Sequence, residues 1–320
     1  MHRGWRKRLS AKADQYLESH VRPESLAGTE RNFFLRKVSH VDQHLLLEAV
    51  FMKYGFDFRQ YAEASLARRL DDIMTKHHFE DPMDLLKRIV QDREFFREIL
   101  PLFTISTTEF FRDPEFFRLL RKKVIPVLKT YPHTNIWVAG CSTGEEVYSM
   151  AILLKEEGLD ERSTIYATDI NPIVLKKAKE GIFPVETIKQ FSKNYTEAGG
   201  THSPSDYYTA DYGFARFNPD LRENMVFSEH NLVTDSFFTE AHLILCRNVM
   251  IYFNRDLQDN VLRLFSSSLA HRGFLGLGSK ESLKFHSAGV DFEPLDEHWR
   301  LFQKKNLQLM KAHPHHGGRA

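Results

Sequence analysis

Residues Ile136 to Glu146 read IWVAGCSTGEE. A β-branched and aromatic run, Ile136-Trp137-Val138, meets a turn of small residues, Ala139-Gly140-Cys141-Ser142-Thr143-Gly144. The acidic pair Glu145-Glu146 then opens a helical stretch. Strand, tight turn and helix in this order let the backbone approach a nucleotide-like ligand, because glycine has no Cβ to hold it off. The turn does not have the chemistry of a phosphate site. It contains no G-x-G-x-x-G and no Lys-Ser/Thr, and carboxylates stand where a pyrophosphate requires bare N–H groups. An acidic turn prefers a cationic ligand. S-adenosylmethionine carries a sulfonium, an ammonium and ribose hydroxyls but no phosphate, and it meets that requirement. The same small-residue turn also serves many α/β domains only to pack a helix on a strand.

Four further stretches carry side chains suited to such a site. Asp169 closes Ile165-Tyr166-Ala167-Thr168-Asp169, about 20 residues beyond the glycine turn, where an acid can accept both ribose hydroxyls. It could instead cap the helix that starts at Pro172, a task open equally to Asn171. Asn231-Leu232 follows the strand-like run Met225–Ser228, and an amide there can read an adenine edge or can simply be a turn residue. Cys246-Arg247-Asn248-Val249-Met250-Ile251-Tyr252-Phe253 follows the run His242–Cys246. A polar pair, an apolar run and a tyrosine at a strand's carboxyl end can form a pocket wall with one phenol projecting inward. The alternative is a core segment with a surface arginine. Thr107-Thr108-Glu109-Phe110-Phe111-Arg112-Asp113 reads either as a segment folding over a site or as a capped helix start with a buried Phe pair.

The elements that must position these residues divide at about residue 134. Before it the apolar residues recur at helical spacing: Val41, Leu45, Leu46, Ala49 and Val50, then Leu66, Leu70, Ile73 and Met74. Asp81-Pro82 and Asp113-Pro114 read as N-caps with first-turn prolines. From Asn135 the period changes. Strand-like runs at Ile136–Ala139, Thr164–Ala167, Met225–Ser228, His242–Cys246 and Phe274–Gly278 alternate with helical runs near 145–157, 172–179 and 256–269. Such alternation predicts a parallel, doubly wound sheet. Phe292–Leu295 and Trp299–Gln303 read as a closing antiparallel pair. Residues 183–224, rich in Tyr, Phe, Thr, Ser and Gly, break the alternation and read as a small inserted β-rich piece or a long loop.

Composition narrows the class. Residues 1–134 hold 24 Lys and Arg against 19 Asp and Glu, and the rest hold 20 against 24. This permits an acidic partner for the first part and does not require nucleic acid. The two cysteines, Cys141 and Cys246, build no disulfide framework, which fits a reducing cytoplasm, and no His/Asp arrangement accompanies either to make it a nucleophile. His77-His78 and the tail histidines lack metal-ligand spacing, so no metal is expected. No apolar run approaches the ~18–20 residues of a membrane span.

TTEFFRDP (107–114), AGCSTGEEVYS (139–149), ATDI (167–170), CRNVMIYF (246–253) and GLGSKESL (276–283) stand in an order that resembles the CheR-type chemoreceptor glutamate O-methyltransferases, from roughly residue 45 to 305. The resemblance implies a fold and a division of the chain. An arm of unassigned role at 1–40 precedes an all-helical domain at 41–115. A Rossmann-like α/β methyltransferase domain follows at 116–305, with an inserted β-subdomain at about 184–224, and then a tail at 306–320. It implies S-adenosylmethionine as cofactor, S-adenosylhomocysteine as its product, and contacts at Ser106, Thr108, Arg112, Gly140, Glu146, Asp169, Asn231, Leu232, Arg247 and Asn248. Arg112 and Tyr252 fall where the family places residues beside the reacting methyl. Ser106 stands where the family usually has Asn, Val147 where it usually has Pro, and Lys280 departs from the usual residue before Glu281. The implied reaction is attack of a glutamate carboxylate on the methyl group, which needs no general base because a carboxyl of pKa about 4.3 is already ionised at neutral pH. The implied partner is the cytoplasmic helical domain of a chemoreceptor or related signalling protein, with no nucleic acid and no membrane insertion. Arg59, Arg68 and Arg69 form a candidate docking face for it, or a solvated helix face. Methylation of another protein or a small molecule, and a non-catalytic cofactor-sensing module, are the competing readings.

Overall fold

The computed structural model describes residues 37–104, 108–236 and 239–306, which belong to one compact unit. Residues 1–36, Ser106, Thr107 and the tail beyond residue 306 lie outside the described residues, and with them nearly all of the expected arm.

The first part is helical, as the apolar spacing predicts. There are four helices, α1 (His40–Tyr54), α2 (Glu63–Lys76), α3 (Pro82–Gln91) and α4 (Arg93–Phe103), and all but α2, which follows Ala62, start at side chains that satisfy free N–H groups. Ser39 and Asp42 form a reciprocal capping box, Asp81 accepts from Met83 N at 2.8 Å, and Asp92 accepts from Glu94 N and Phe95 N. Their apolar stripes meet in a core that includes Leu46, Val50, Leu66, Leu70, Ile73, Ile89 and Phe103. Asp113 departs from the expected cap. It adopts a left-handed conformation (φ 57°) and makes no side-chain cap bond, because its carboxylate serves another partner.

The second part is built on seven strands: β1 (Thr134–Ala139), β2 (Ser163–Asp169), β6 (Met225–Glu229), β7 (Ala241–Cys246), β8 (Leu269–Leu277), β9 (Phe292–Asp296) and β10 (Leu301–Lys304). They lie in the order β6-β2-β1-β7-β8-β10-β9. The first five are parallel, and β10 pairs antiparallel with both β8 and β9. The strand order reverses between β1 and β7, and such a switch point opens a crevice at the carboxyl ends of the strands. Trp137, fully buried on β1, donates from Nε1 to Thr168 Oγ1 at 2.8 Å, so this buried strand carries a large apolar side chain whose one polar atom is satisfied.

The insertion differs from the expectation of a β-rich piece or loop. It contains three short antiparallel strands, β3 (Ile182–Pro184), β4 (Tyr208–Asp211) and β5 (Phe214–Phe217), and also a twelve-residue helix, Glu186–Glu197. Phe183, Phe191 and Phe217 from the insertion pack on Phe110 with ring centroids 4.8–5.2 Å apart. Asn194 Nδ2 donates to the Phe110 carbonyl at 2.9 Å. The aromatic residues that obscured the helical period are thus the ones that fasten the insertion to the segment carrying Arg112.

Candidate active site

One cleft opens at the switch point, with about 910 Å³ of empty space including its mouth. Thr108, Arg112, Gly140, Glu146, Asp169, Asn231, Leu232, Arg247, Asn248 and Tyr252 all line it. Ser106, the remaining expected contact, lies outside the described residues.

The glycine turn forms its floor. Gly140 (φ 72°) and Cys141 donate to the Thr168 carbonyl at 2.8 and 2.9 Å, which ties the turn to the neighbouring strand. A Cβ at position 140 would stand 2.5 Å from Val249 Cγ2, so only glycine lets the two loops meet. Gly144 (φ 100°) opens the helix Glu145–Glu156. Phe111, Asp113, Ser142 and Asn248 are also left-handed, with φ between 49° and 62°. Non-glycine residues rarely adopt that conformation, and four of them in the loops around one cleft mark a site whose shape is imposed by its surroundings.

Asp169 and Asn171 divide the tasks left open by the sequence. Asn171 Oδ1 accepts from Ile173 N at 2.9 Å and is the helix cap. Asp169 accepts from Ser142 N and Asn171 N, both at 2.9 Å, and faces the cleft. Burial pushes its carboxyl above the usual range, against the lowering effect of those N–H groups. Asn231 serves as both a turn and a wall residue. Its Oδ1 accepts from Val233 N at 2.9 Å, which leaves one lone pair on that oxygen and the Nδ2 donors for a ligand.

Arg247 is the hub. Its side chain is 2% exposed, and it donates to Glu146 Oε2 at 2.8 Å, Asp113 Oδ2 at 2.6 Å and the Arg112 carbonyl at 3.1 Å. It also lies over the Phe116 ring at 4.3 Å. One buried guanidinium thereby locks the glycine-loop helix to the segment that presents Thr108 and Arg112. Phe110 and Phe111 are buried while Arg112 reaches the cleft, so the segment folds over the site and buries its Phe pair, but the helix start at Asp113 is not capped by a side chain.

These ion pairs correct the expectation of an acidic site. Glu146 is answered by Arg247, and Glu145 is buried and accepts from Thr143 Oγ1 at 2.6 Å. Burial raises the Glu145 carboxyl above its usual range. Along the cleft wall Arg69, Arg112 and Arg247 face Glu146 and Asp169, which suits a ligand carrying both signs of charge rather than a bare cation.

The sequence reading did not assign Glu281, Tyr61 or Arg69 to the site. Glu281, 4% exposed, accepts from the N–H groups of Gly278, Asn248, Val249 and Met250 at 2.6–3.1 Å and so holds the Arg247-Asn248 turn. From the helical part, Ala62 N donates to the Tyr252 carbonyl at 2.7 Å, Asn254 N donates to the Gln60 carbonyl at 2.9 Å, and Tyr61 packs on Phe253. Arg69 lies in the cleft and not on a docking face. Arg59 and Arg68 are both exposed, and Arg59 is held by Asp57 and Glu48.

The cleft fits S-adenosylmethionine by its own polar atoms. Ser142 and Asn248 line it, and Ser142 Oγ and Asn248 Oδ1 are buried without hydrogen-bond partners. Buried polar groups of this kind call for a polar ligand.

The family model described as the CheR methyltransferase SAM binding domain matches residues 106–299, and that of the CheR all-alpha domain matches 42–104. A provisionally named methyltransferase of Pseudomonas putida, Cher3, is 49% identical over 264 residues, covering 82% of this chain and 97% of the relative. A chemotaxis protein methyltransferase of Listeria innocua is 29% identical over 231 residues (72% and 85%). Chemotaxis protein methyltransferase 1 of Vibrio cholerae is 30% identical over 240 residues (71% and 82%). Helical domain, Rossmann-like sheet, cleft and these matches agree, and the chain belongs to the CheR family of S-adenosylmethionine-dependent methyltransferases.

Proposed function

We propose that the chain methylates a glutamate side-chain carboxylate on the cytoplasmic helical domain of a chemoreceptor or related signalling protein. The observation that carries this reading is that Arg112 and Tyr252 line the same cleft as Glu146 and Asp169. Bound S-adenosylmethionine supplies an electrophilic methyl group on a sulfonium. Asp169 is placed to accept the ribose hydroxyls, and Asn231 and Leu232 to bound the adenine. Thr108, Gly140, Arg247 and Asn248 shape the part of the cleft nearer the amino-acid end, with Glu146 holding Arg247 in place.

The acceptor arrives ionised, so the residues at the reacting end need only aim it. Arg112 orients the carboxylate and closes the pocket, and Tyr252 donates a positioning hydrogen bond. Alignment of this kind is worth several kcal/mol, about 7 or more in the best cases. The carboxylate and the sulfonium lose their charges together as the ester forms, which a water-poor cleft favours. The domain division near residue 115 and a cytoplasmic location belong to the same proposal. Among the described residues no helix is long and apolar enough to cross a membrane.

Incubation of the chain with methyl-labelled S-adenosylmethionine and the cytoplasmic fragments of chemoreceptors from the same genome tests the reading. Label that enters a fragment and leaves as methanol in mild alkali supports a carboxyl ester. Label that is alkali-stable, or found on a small molecule, refutes it.

A further inference from the structure

Arg69, on α2, is 5% exposed and lines the cleft. Its Nη1 donates to the Phe103 carbonyl, and its guanidinium carbon stands 4.6 Å from the centre of the Tyr252 ring. Its Nε and Nη2 are buried and have no hydrogen-bond partner. A buried guanidinium stays charged, and a buried charge is costly unless an anion meets it.

The two nitrogens without partners are the pair on one edge of the guanidinium, the fork that fits both oxygens of a carboxylate. The same fork is in use elsewhere in this chain. Arg59 Nε and Nη2 hold the two oxygens of Asp57 at 2.9 and 2.8 Å. Arg247, the other buried cleft arginine, already has Glu146 and Asp113. Arg69 presents its fork beside Tyr252, the residue assigned to the reacting end.

We propose that the Arg69 fork is the recognition element for the acceptor carboxylate, so that a residue of the helical part selects the group to be methylated. This rests on the reading of the chain as a glutamate methyltransferase. The fork engages one lone pair on each oxygen and leaves others free for attack. One of those pairs forms the new O–C bond while the C–S bond breaks, its electron pair going to sulfur. The sulfonium becomes a neutral thioether, the carboxylate becomes a neutral ester, and no proton moves. The ester no longer matches the charged fork, so Arg69 favours the substrate over the product, and glutamate over glutamine.

The test uses the full chain saturated with S-adenosylhomocysteine and follows the Arg69 Nε–H signal by nitrogen-resolved NMR, assigned by its loss in Arg69→Lys. Titration with acetate shifts that signal and titration with acetamide does not. No shift with acetate overturns the proposal, whatever the natural acceptor. In turnover on the receptor fragment, Arg69→Met lowers kcat/KM about 100-fold, the scale of losing one partner of a buried charge pair, mostly through KM. Arg69→Lys, with a point charge and no fork, recovers little of the loss. S-adenosylhomocysteine affinity stays within about twofold in both variants. An equal loss of S-adenosylhomocysteine affinity assigns the fork to the donor's own carboxylate and overturns the proposal. Unchanged kcat/KM overturns it as well. A wild-type chain that binds acetate at Arg69 but methylates no receptor fragment refutes the function proposed above and leaves the carboxylate site standing.

Discussion

Replacing Glu281 by Gln removes a charge and changes little in shape, and it tests whether the Arg247-Asn248 turn is held from behind. Oε1 of Glu281 accepts from Val249 N at 2.9 Å and Met250 N at 2.7 Å, and Oε2 accepts from Asn248 N at 3.1 Å and Gly278 N at 2.6 Å. A glutamine has one acceptor oxygen, so its NH2 must face one of these pairs of N–H groups. Two buried donors then lose their acceptor, at about 1–3 kcal/mol each. Removing a buried carboxylate relieves part of its desolvation, so the expected net loss is about 3 kcal/mol. At about 2–4 °C per kcal/mol for a domain of this size, the melting temperature falls by about 6–12 °C. The left-handed backbone of Asn248 (φ 62°) relaxes with it, and S-adenosylhomocysteine affinity falls about tenfold, the equivalent of 1.4 kcal/mol. Thermal unfolding and calorimetric titration read both quantities, with Lys280→Ala, an exposed neighbour, as the unchanged control. A melting temperature within about 1 °C of the wild type, together with unaltered affinity, would refute the reasoning.

Arg112→Ala should lower methyl transfer by about 100-fold or more while the melting temperature stays close to that of the wild type, and turnover at the wild-type rate removes Arg112 from the mechanism. Gly144→Ala forces a side chain into φ 100° and sets its Cβ 2.9 Å from Ala178 Cβ, so unfolding should show a loss of at least about 1–2 kcal/mol. An unchanged melt contradicts the placement of that turn. Glu156 is buried, which by itself raises its carboxyl, but Tyr195, the Thr201 amide and Arg121 bring it down to about 2. A depressed carboxyl stabilises the fold above its unfolded value of about 4.5 and ceases to do so as the pH falls toward 2. The melting difference between wild type and Glu156→Gln should therefore be widest above pH 5 and narrow between about pH 4.5 and 2. A difference independent of pH rejects the ionised, paired state.

The glycine turn, Asp169 and the CRNVMIYF run were legible because each is a local pattern: a strand, a bend that needs glycine, and a polar group at a strand end. The cleft's charge balance was not legible. Glu146 is visible in the sequence, but Arg247, which neutralises it, is 101 residues away. Arg69 reads as one of several basic residues on a helix, and only the pairing of Gln60 and Ala62 with Asn254 and Tyr252 turns it inward to the site. Asp113 resembles Asp81 in sequence, each preceding a proline, yet one answers a buried arginine and the other caps a helix. The helix Glu186–Glu197 was not legible because Phe191 and Tyr195 face an aromatic cluster inside a segment otherwise rich in turn-forming residues.

A crystal structure of the chain with S-adenosylhomocysteine tests the central claim most directly. The account predicts the ribose hydroxyls on Asp169, the adenine beside Asn231 and Leu232, and the sulfur turned toward Arg112 and Tyr252, with open space between it and Arg69. A nucleoside bound elsewhere, or bound in this cleft with its sulfur directed away from Arg112 and Tyr252, contradicts it.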